Sequence, residues 1–238
     1  MTPLAPVFLV SFSAVAFEIA LTRFFAVTAW SEYGYWVISI VMAGFALSGV
    51  ALALARASAE RYGARLLAWL PVALVLAAGF GFRATAANPF NPLQLQNQVT
   101  WAAQLCNIAG YYAALLPFFF LAGLFIGLSF VLNARRIGIV YGWDLTGAGA
   151  GAACVTALMF VLGPLDLVPA LLVPLAGSAA VMRRGKAPVL AACVALVVAE
   201  AVLLAGGRPG VNEYKPIYAP LHTAGARILA ERLSPRGQ

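Results

Sequence analysis

The chain is predicted to be an all-α polytopic membrane protein of about seven transmembrane helices. Three observations make the prediction. Apolar runs long enough for a bilayer, which takes about 20 helical residues, follow one another along most of the sequence. The composition is 63% hydrophobic and 10% charged, with a mean hydropathy of +0.92. Soluble domains are roughly 45–50% apolar, so a chain of 238 residues cannot hide this much apolar surface in a soluble core. Finally, eight of the 15 basic residues fall in three short connections, Arg56/Arg61/Arg65, Arg135/Arg136 and Arg183/Arg184/Lys186. These are alternate connections along the chain, and the positive-inside rule assigns all three to the cytoplasm.

The first run, 6–30, has neither a basic n-region nor a small-residue cleavage pattern before or after it, so it reads as a retained span. Trp30, Tyr33, Tyr35 and Trp36 around Glu32 suggest an aromatic belt at the opposite interface, and the second span covers 35–55. The third, 66–82, carries Pro71 in its first turns, where proline is best tolerated, and ends at Arg83, which can snorkel. Residues 86–98 hold prolines and the amides of Asn88, Asn91, Gln94, Gln96, Asn97 and Gln98, a composition incompatible with lipid and expected of the one sizeable outer loop. The apolar stretch 99–132 exceeds one crossing; it reads as a short interfacial helix over 100–106, then a span over 111–132 bent at Pro117. The fifth span covers 142–162 and stops at Gly163-Pro164, the sixth covers 167–182 with Pro169 and Pro174, and the seventh covers 188–205.

The chain therefore divides into a transmembrane region, 1–206, and a polar linker and tail, 207–238, too small to bury a core alone. Seven crossings with the basic connections inside put the N-terminus in the cytoplasm and the tail outside. The sixth run, short and twice interrupted by proline, is the one expected to re-enter if any does, which would return the tail to the cytoplasm.

The net charge of +7 is divided among connections and tail, which suits anionic lipid headgroups rather than nucleic acid. Cys106, Cys154 and Cys193 lie far apart without a C-x-x-C pair, and His222 is the one histidine, so neither a disulfide framework nor a metal site is implied.

Four ionisable residues sit inside predicted spans: Glu18, Arg23, Asp144 and Glu200. Each costs on the order of 2.5–3.5 kcal/mol near the midplane, so each is expected to face protein or water, as a structural pair or as part of a functional site. Glu18 and Arg23 are about 140° apart around a helix and do not stack. Arg23 reaches towards either Asp144 or Glu200; Glu200 needs a cation from another helix or a proton. The glycine run at 142–151 lacks the preceding strand of a nucleotide-binding turn. It reads as a close-packing face, Asp144, Gly147 and Gly151, and Gly123-x-x-x-Gly127 and Gly44-x-x-x-Ser48 repeat that pattern.

Several blocks resemble the membrane-embedded, spermidine-synthase-like proteins of bacteria: Ser13-Ala14-Val15-Ala16-Phe17-Glu18 with Thr22-Arg23, Leu116-Pro117-Phe118-Phe119-Phe120-Leu121-Ala122-Gly123, and the segment from Tyr141 to Gly151. Glu213-Tyr214-Lys215, Ala224-Gly225-Ala226-Arg227 and Ser234-Pro235-Arg236-Gly237 are similar to that family's junction with its soluble domain. The resemblance implies a bacterial inner-membrane protein in which a Rossmann-like, aminopropyltransferase-like domain using decarboxylated S-adenosylmethionine follows this region. Residues 1–238 contain no cofactor loop or acidic constellation to which a catalytic role or a cofactor carries over, so Glu18, Arg23 and Asp144 transfer only as positions of unassigned role. The expected function is a membrane anchor or scaffold whose partners are the lipid bilayer and a soluble catalytic domain or other membrane subunits, with no nucleic acid. A transport or lipid-substrate-binding module and an accessory subunit of a larger membrane complex are the alternatives. The predicted outer tail conflicts with a transferase fed from the cytosol.

Overall fold

A computed structural model of the chain describes residues 4–182, 185–207 and 212–227. Among them are seven long helices, α1 (Ala5–Thr28), α2 (Gly34–Leu54), α3 (Arg56–Ala86), α4 (Trp101–Leu132), α5 (Ile137–Leu158), α6 (Leu167–Met182) and α7 (Lys186–Ala205). A one-turn α8 (Tyr218–His222) follows, and no strand occurs among the described residues. Proline starts α1, where its missing N–H would be unpaired in any case. Gly185, with φ 120°, precedes α7 in a conformation that side chains resist. Five helices, α1, α2, α3, α4 and α7, are long and apolar enough to cross a membrane. α6 is shorter at 16 residues, and in α5 the glycines, threonines and Asp144 dilute the apolar content.

Contacts between neighbours fix the helix directions. Gly44 of α2 lies against the backbone of Phe119 and Phe120, Gly123 of α4 against Ser48, and Gly127 against Leu52, so α2 and α4 are parallel. Gly147 and Gly151 of α5 lie against the backbones of Phe8 and Phe12, which makes α1 and α5 parallel. Gly79 meets Ala199, and Arg83 meets Gly206, so α3 and α7 are parallel as well. In contrast, Phe17 packs on Phe118 at 4.5 Å and Phe25 on Tyr111 at 5.2 Å, between ring centroids, which sets α1 antiparallel to α4. Gly63 beside Leu128 and Leu132, with Gly81 beside the Ala114 carbonyl, does the same for α3 and α4. The start of α6 adjoins the ends of α3 and α7, so α6 opposes both. Successive helices thus alternate in direction through one layer.

α1, α4, α3 and α6 adjoin in a ring, with α5 outside α1, α2 outside α4 and α7 against α3 and α6. Phe17, Phe118, Phe119 and Phe125 are its largest buried side chains. The basic segments gather at one end: Arg65 and Lys186 line one groove, and Arg135 and Arg136 follow Leu132, which rests on Gly63. Arg183 and Arg184 of the third cluster, the start of the linker at 208–211 and the last residues, 228–238, lie outside the described residues.

Several expectations are corrected. Arg56, Arg61 and Arg65 are not in a loop but in the first turns of α3, joined to α2 through Ala55 alone, with Arg56 Nε donating to Glu60 Oε1 at 3.2 Å. Pro71 is consequently in mid-helix. α4 is one continuous helix, without a separate interfacial piece, because the loop before it pairs with its first turns: Asn91 N–H donates to Gln104 Oε1 at 2.9 Å, Gln104 Nε2 to Gln94 Oε1 at 2.8 Å, and Asn88 Nδ2 to the Asn107 carbonyl at 2.7 Å. α5 starts earlier and stops earlier than the predicted 142–162. The aromatic belt is turned inward: Tyr33 is 8% exposed and stacks on Trp36 at 4.6 Å, and both pack on Phe90. Of that group Tyr35 faces outward.

A side chain at Gly151 would strike the Phe12 backbone, whereas Gly149 on the same helix has open space. Thermal denaturation in nanodiscs should therefore show Gly151→Leu destabilised by about 1–3 kcal/mol, the usual penalty for overpacking, and Gly149→Leu nearly unchanged. Equal melting of the two variants would contradict this packing.

Candidate functional site

The close approach of α1 and α5 at Gly147 and Gly151 brings Ser11 Oγ within 2.5 Å of Asp144 Oδ1, to which it donates. Asp144 thereby gains a hydrogen-bond donor across a helix contact near the basic end. Arg23, 8% exposed, is about 18 Å further along α1 from Ser11, too far to share that carboxylate. Glu200 lies on α7, which packs on α3 and α6 rather than on α1, so the Arg23–Glu200 interface that the sequence left open is not built either. Glu18 and Glu200 are half-buried on separate helices, and among the described residues neither has a hydrogen-bond or ion-pair partner. The structure does not bring the four predicted residues together.

A polar cluster the sequence reading did not anticipate lies at the end opposite the arginines. The last carbonyls of an α-helix have no intrahelical donor, and α1 has no basic residue in its last turn. Lys215 supplies the missing donor from the tail: its Nζ donates to the carbonyls of Ala26 at 2.6 Å and Val27 at 2.7 Å. A cation there also complements the negative end of the helix dipole. Alongside, Asn212 N–H donates to the Thr28 carbonyl at 3.0 Å, Asn212 Nδ2 to Tyr214 Oη at 2.9 Å, and Asn91 Nδ2 to Glu213 Oε1 at 3.3 Å. The Tyr214 ring packs edge-on to Trp30 at 5.1 Å. The signals that point here are the uncapped end of α1 and the aromatic at Trp30.

Burial and then the nearby Arg23 guanidinium hold the Lys215 ammonium below its usual range. Burial pushes the Tyr214 hydroxyl up to about 12, against the bond from Asn212, and raises Tyr33 further, with Tyr214, Tyr111 and Glu32 adding to the effect. Beneath the docked tail, Thr28, Thr85, Asn88, Tyr111 and Asn212 line a cavity of about 30 Å³, the space of a single water. The Thr85 hydroxyl and the Asn88 side-chain oxygen are buried there without a protein partner.

Larger cavities include these two. One of about 300 Å³ lies between the ends of α3 and α7 and the start of α6, and includes Arg83 and Asp166. The other, an open groove of about 570 Å³ at the basic end, includes Arg65, Trp69 and Lys186. Glu18, Arg23, Asp144 and Glu200 line none of the three. Among the described residues no three His, Cys, Asp or Glu side chains gather as a metal site. No family model, curated protein or solved structure matches the chain.

Replacing Lys215 by Met leaves the Ala26 and Val27 carbonyls without their donor. We expect a loss of about 1–3 kcal/mol, read as reduced hydrogen-exchange protection of the Asn212 amide. The pH dependence has a definite sign. A lysine whose folded pKa is below its unfolded value binds fewer protons when folded, so its contribution to stability grows as pH rises through the window that ends near 10.5, its ordinary value. The melting-temperature difference between wild type and Lys215→Met should accordingly widen with pH in that window; a difference that narrows there would contradict the assigned environment.

Proposed function

We propose that this chain is a seven-crossing membrane domain that serves as an anchor and scaffold, in a protein of the spermidine-synthase-like kind that its sequence blocks resemble. One observation carries the reading: Glu18, Arg23, Asp144 and Glu200 do not converge among the described residues and line none of the three cavities described above. Transport of a polar solute needs such groups to converge on a water-accessible site near the midplane. The helix contacts are instead close, with glycine set against backbone at the α1–α5 and α2–α4 interfaces.

The strict alternation of helix direction supports seven crossings. α6 is about 24 Å long on ideal geometry, less than the roughly 30 Å hydrocarbon core. It is nonetheless flanked by α1, α3 and α7, and runs from the Arg83 end to the Lys186 end. Under the positive-inside rule the arginine-rich end is cytoplasmic and the docked tail lies on the outer face. That arrangement favours a positioning role over direct service to a cytosolic transferase.

The test begins with Cys106, Cys154 and Cys193 replaced, since all three are exposed on the bundle surface. Single cysteines at Glu18 and Glu200 should resist a water-soluble maleimide in membranes; rapid labelling of either would favour a transport pathway and sink the scaffold reading. Cysteines at Arg61 and Gln96 should label from opposite faces of sealed vesicles, and one at Thr223 from the Gln96 face. Labelling of Thr223 from the Arg61 face would remove one crossing from the count.

A further inference from the structure

Folded chains leave few buried polar atoms without a hydrogen bond, and each exception calls for a partner that the protein itself does not supply. Among the described residues, Ser13, Tyr33, Thr85 and Asn88 each hold such a side-chain atom. Ser13 and Tyr33 line none of the three described cavities. Thr85 and Asn88 both line the one of about 30 Å³ beneath the docked tail. Thr85 is 2% exposed, and Asn88 Oδ1 is out of solvent although the residue as a whole is half-buried.

The two residues are held together at the end of α3, where the Asn88 N–H donates to the Thr85 carbonyl at 3.2 Å. The Asn88 amide is also fixed in sense. Its Nδ2 donates to the Asn107 carbonyl of α4 at 2.7 Å, which leaves Oδ1 as an acceptor in need of a donor. The Thr85 hydroxyl can both donate and accept. Neither atom reaches solvent or a protein partner, so the cavity that both side chains line is where the missing bonds can be made. A space of this size takes one water, and holds it where polar groups can bind it. An ion suits these groups less well. An anion would meet the lone pairs of Asn88 Oδ1, and a hard cation takes about six oxygen ligands, here beside an ammonium, Lys215, already seated on the end of α1.

We propose that one internal water occupies this cavity, accepting the hydrogen of the Thr85 hydroxyl and donating to Asn88 Oδ1, and so bridges the last turn of α3 and the loop that follows it. Thr28 of α1, Tyr111 of α4 and Asn212 of the tail complete the wall, which puts the water where three helices and the docked tail meet. The site belongs to the outer end of the bundle and does not depend on the anchor reading.

X-ray radiolytic labelling of the full chain in nanodiscs, read by mass spectrometry, tests the proposal, because hydroxyl radicals formed from a bound water oxidise the side chains that touch it. Tyr111 and Phe25 line the cavity and are 6% and 2% exposed, whereas Phe118 and Phe125, 0% and 1% exposed, line none of the three described cavities. Wild type should be oxidised at Tyr111 or Phe25 and not at Phe118 or Phe125. Thr85→Val, which keeps the shape and removes the hydroxyl, should abolish that label, and Thr85→Ser should retain it. Thermal denaturation supplies a second readout, whose sign decides. With the hydroxyl bridged, Thr85→Val should lower the melting temperature by about 2–4 °C, the loss of one hydrogen bond. An equal or higher melting temperature would mean that the wild-type hydroxyl has no partner, and would overturn the site. Absence of label at both cavity residues of the wild type, or a label that persists unchanged in Thr85→Val, would overturn it too. Exchange of sodium for N-methylglucamine should alter neither readout; a fall in melting temperature seen in wild type and not in Thr85→Val would assign the cavity to a cation instead.

Discussion

Among lipid tails one apolar helix gains no hydrophobic free energy by burying itself against another, so this bundle depends on how closely its backbones can approach. Close approaches are made at glycine: Gly147 and Gly151 against Phe8 and Phe12, Gly44 against Phe119, and Gly81 against the Ala114 carbonyl. Each removes a side chain from the contact and lets dispersion act between main chains. α1 has most to gain, since α5 and α6 pack along it and α4 meets it through the phenylalanines. The Ser11–Asp144 bond follows from the same approach. Without Gly147 and Gly151 the helices would stand further apart and the carboxylate would lose its donor.

The two ends of the bundle are built differently because they meet different demands. The basic end holds short connections: Ala55 alone joins α2 to α3, and Gly185 leads into α7. The opposite end carries the long loop and the docked tail, and its main-chain groups are satisfied by side chains: amides on the start of α4, Lys215 on the last turn of α1. Trp30, Tyr33, Trp36, Phe90, Tyr111 and Tyr214 form a connected aromatic cluster there. A tail fastened in this way is held in a defined position relative to α1, which is what a scaffold requires.

Much of the fold was legible because hydrophobic runs and arginine placement are local properties of a sequence. The bounds of α6 agree with the predicted run, and α1, α2 and α7 differ from theirs by a residue or two. The small-residue patterns named residues that lie at close contacts, but not which helix meets which: Gly44/Ser48 and Gly123/Gly127 turn out to be two sides of one interface. Pairing depends on helix direction and register, which no single segment encodes. The aromatic group around Tyr33 illustrates the same gap, since interfacial and inward-facing aromatics have identical composition. The polar cluster under Lys215 was hidden for a further reason. Its partners are main-chain carbonyls on a helix nearly 190 residues away in sequence, and a carbonyl leaves no mark in a sequence.

The parallel register of α1 and α5 is the central claim, because it sets the direction of α5, places Asp144 beside Ser11 and supports the alternation of the bundle. Disulfide crosslinking in a background lacking the native cysteines measures it directly. Paired cysteines at Ser11 and Asp144 should crosslink rapidly in the membrane, while a pair at Ser11 and Val155 should not. A crosslink between Ser11 and Val155 in place of the first pair would mean that α5 is displaced along α1 from this register, and would contradict the account.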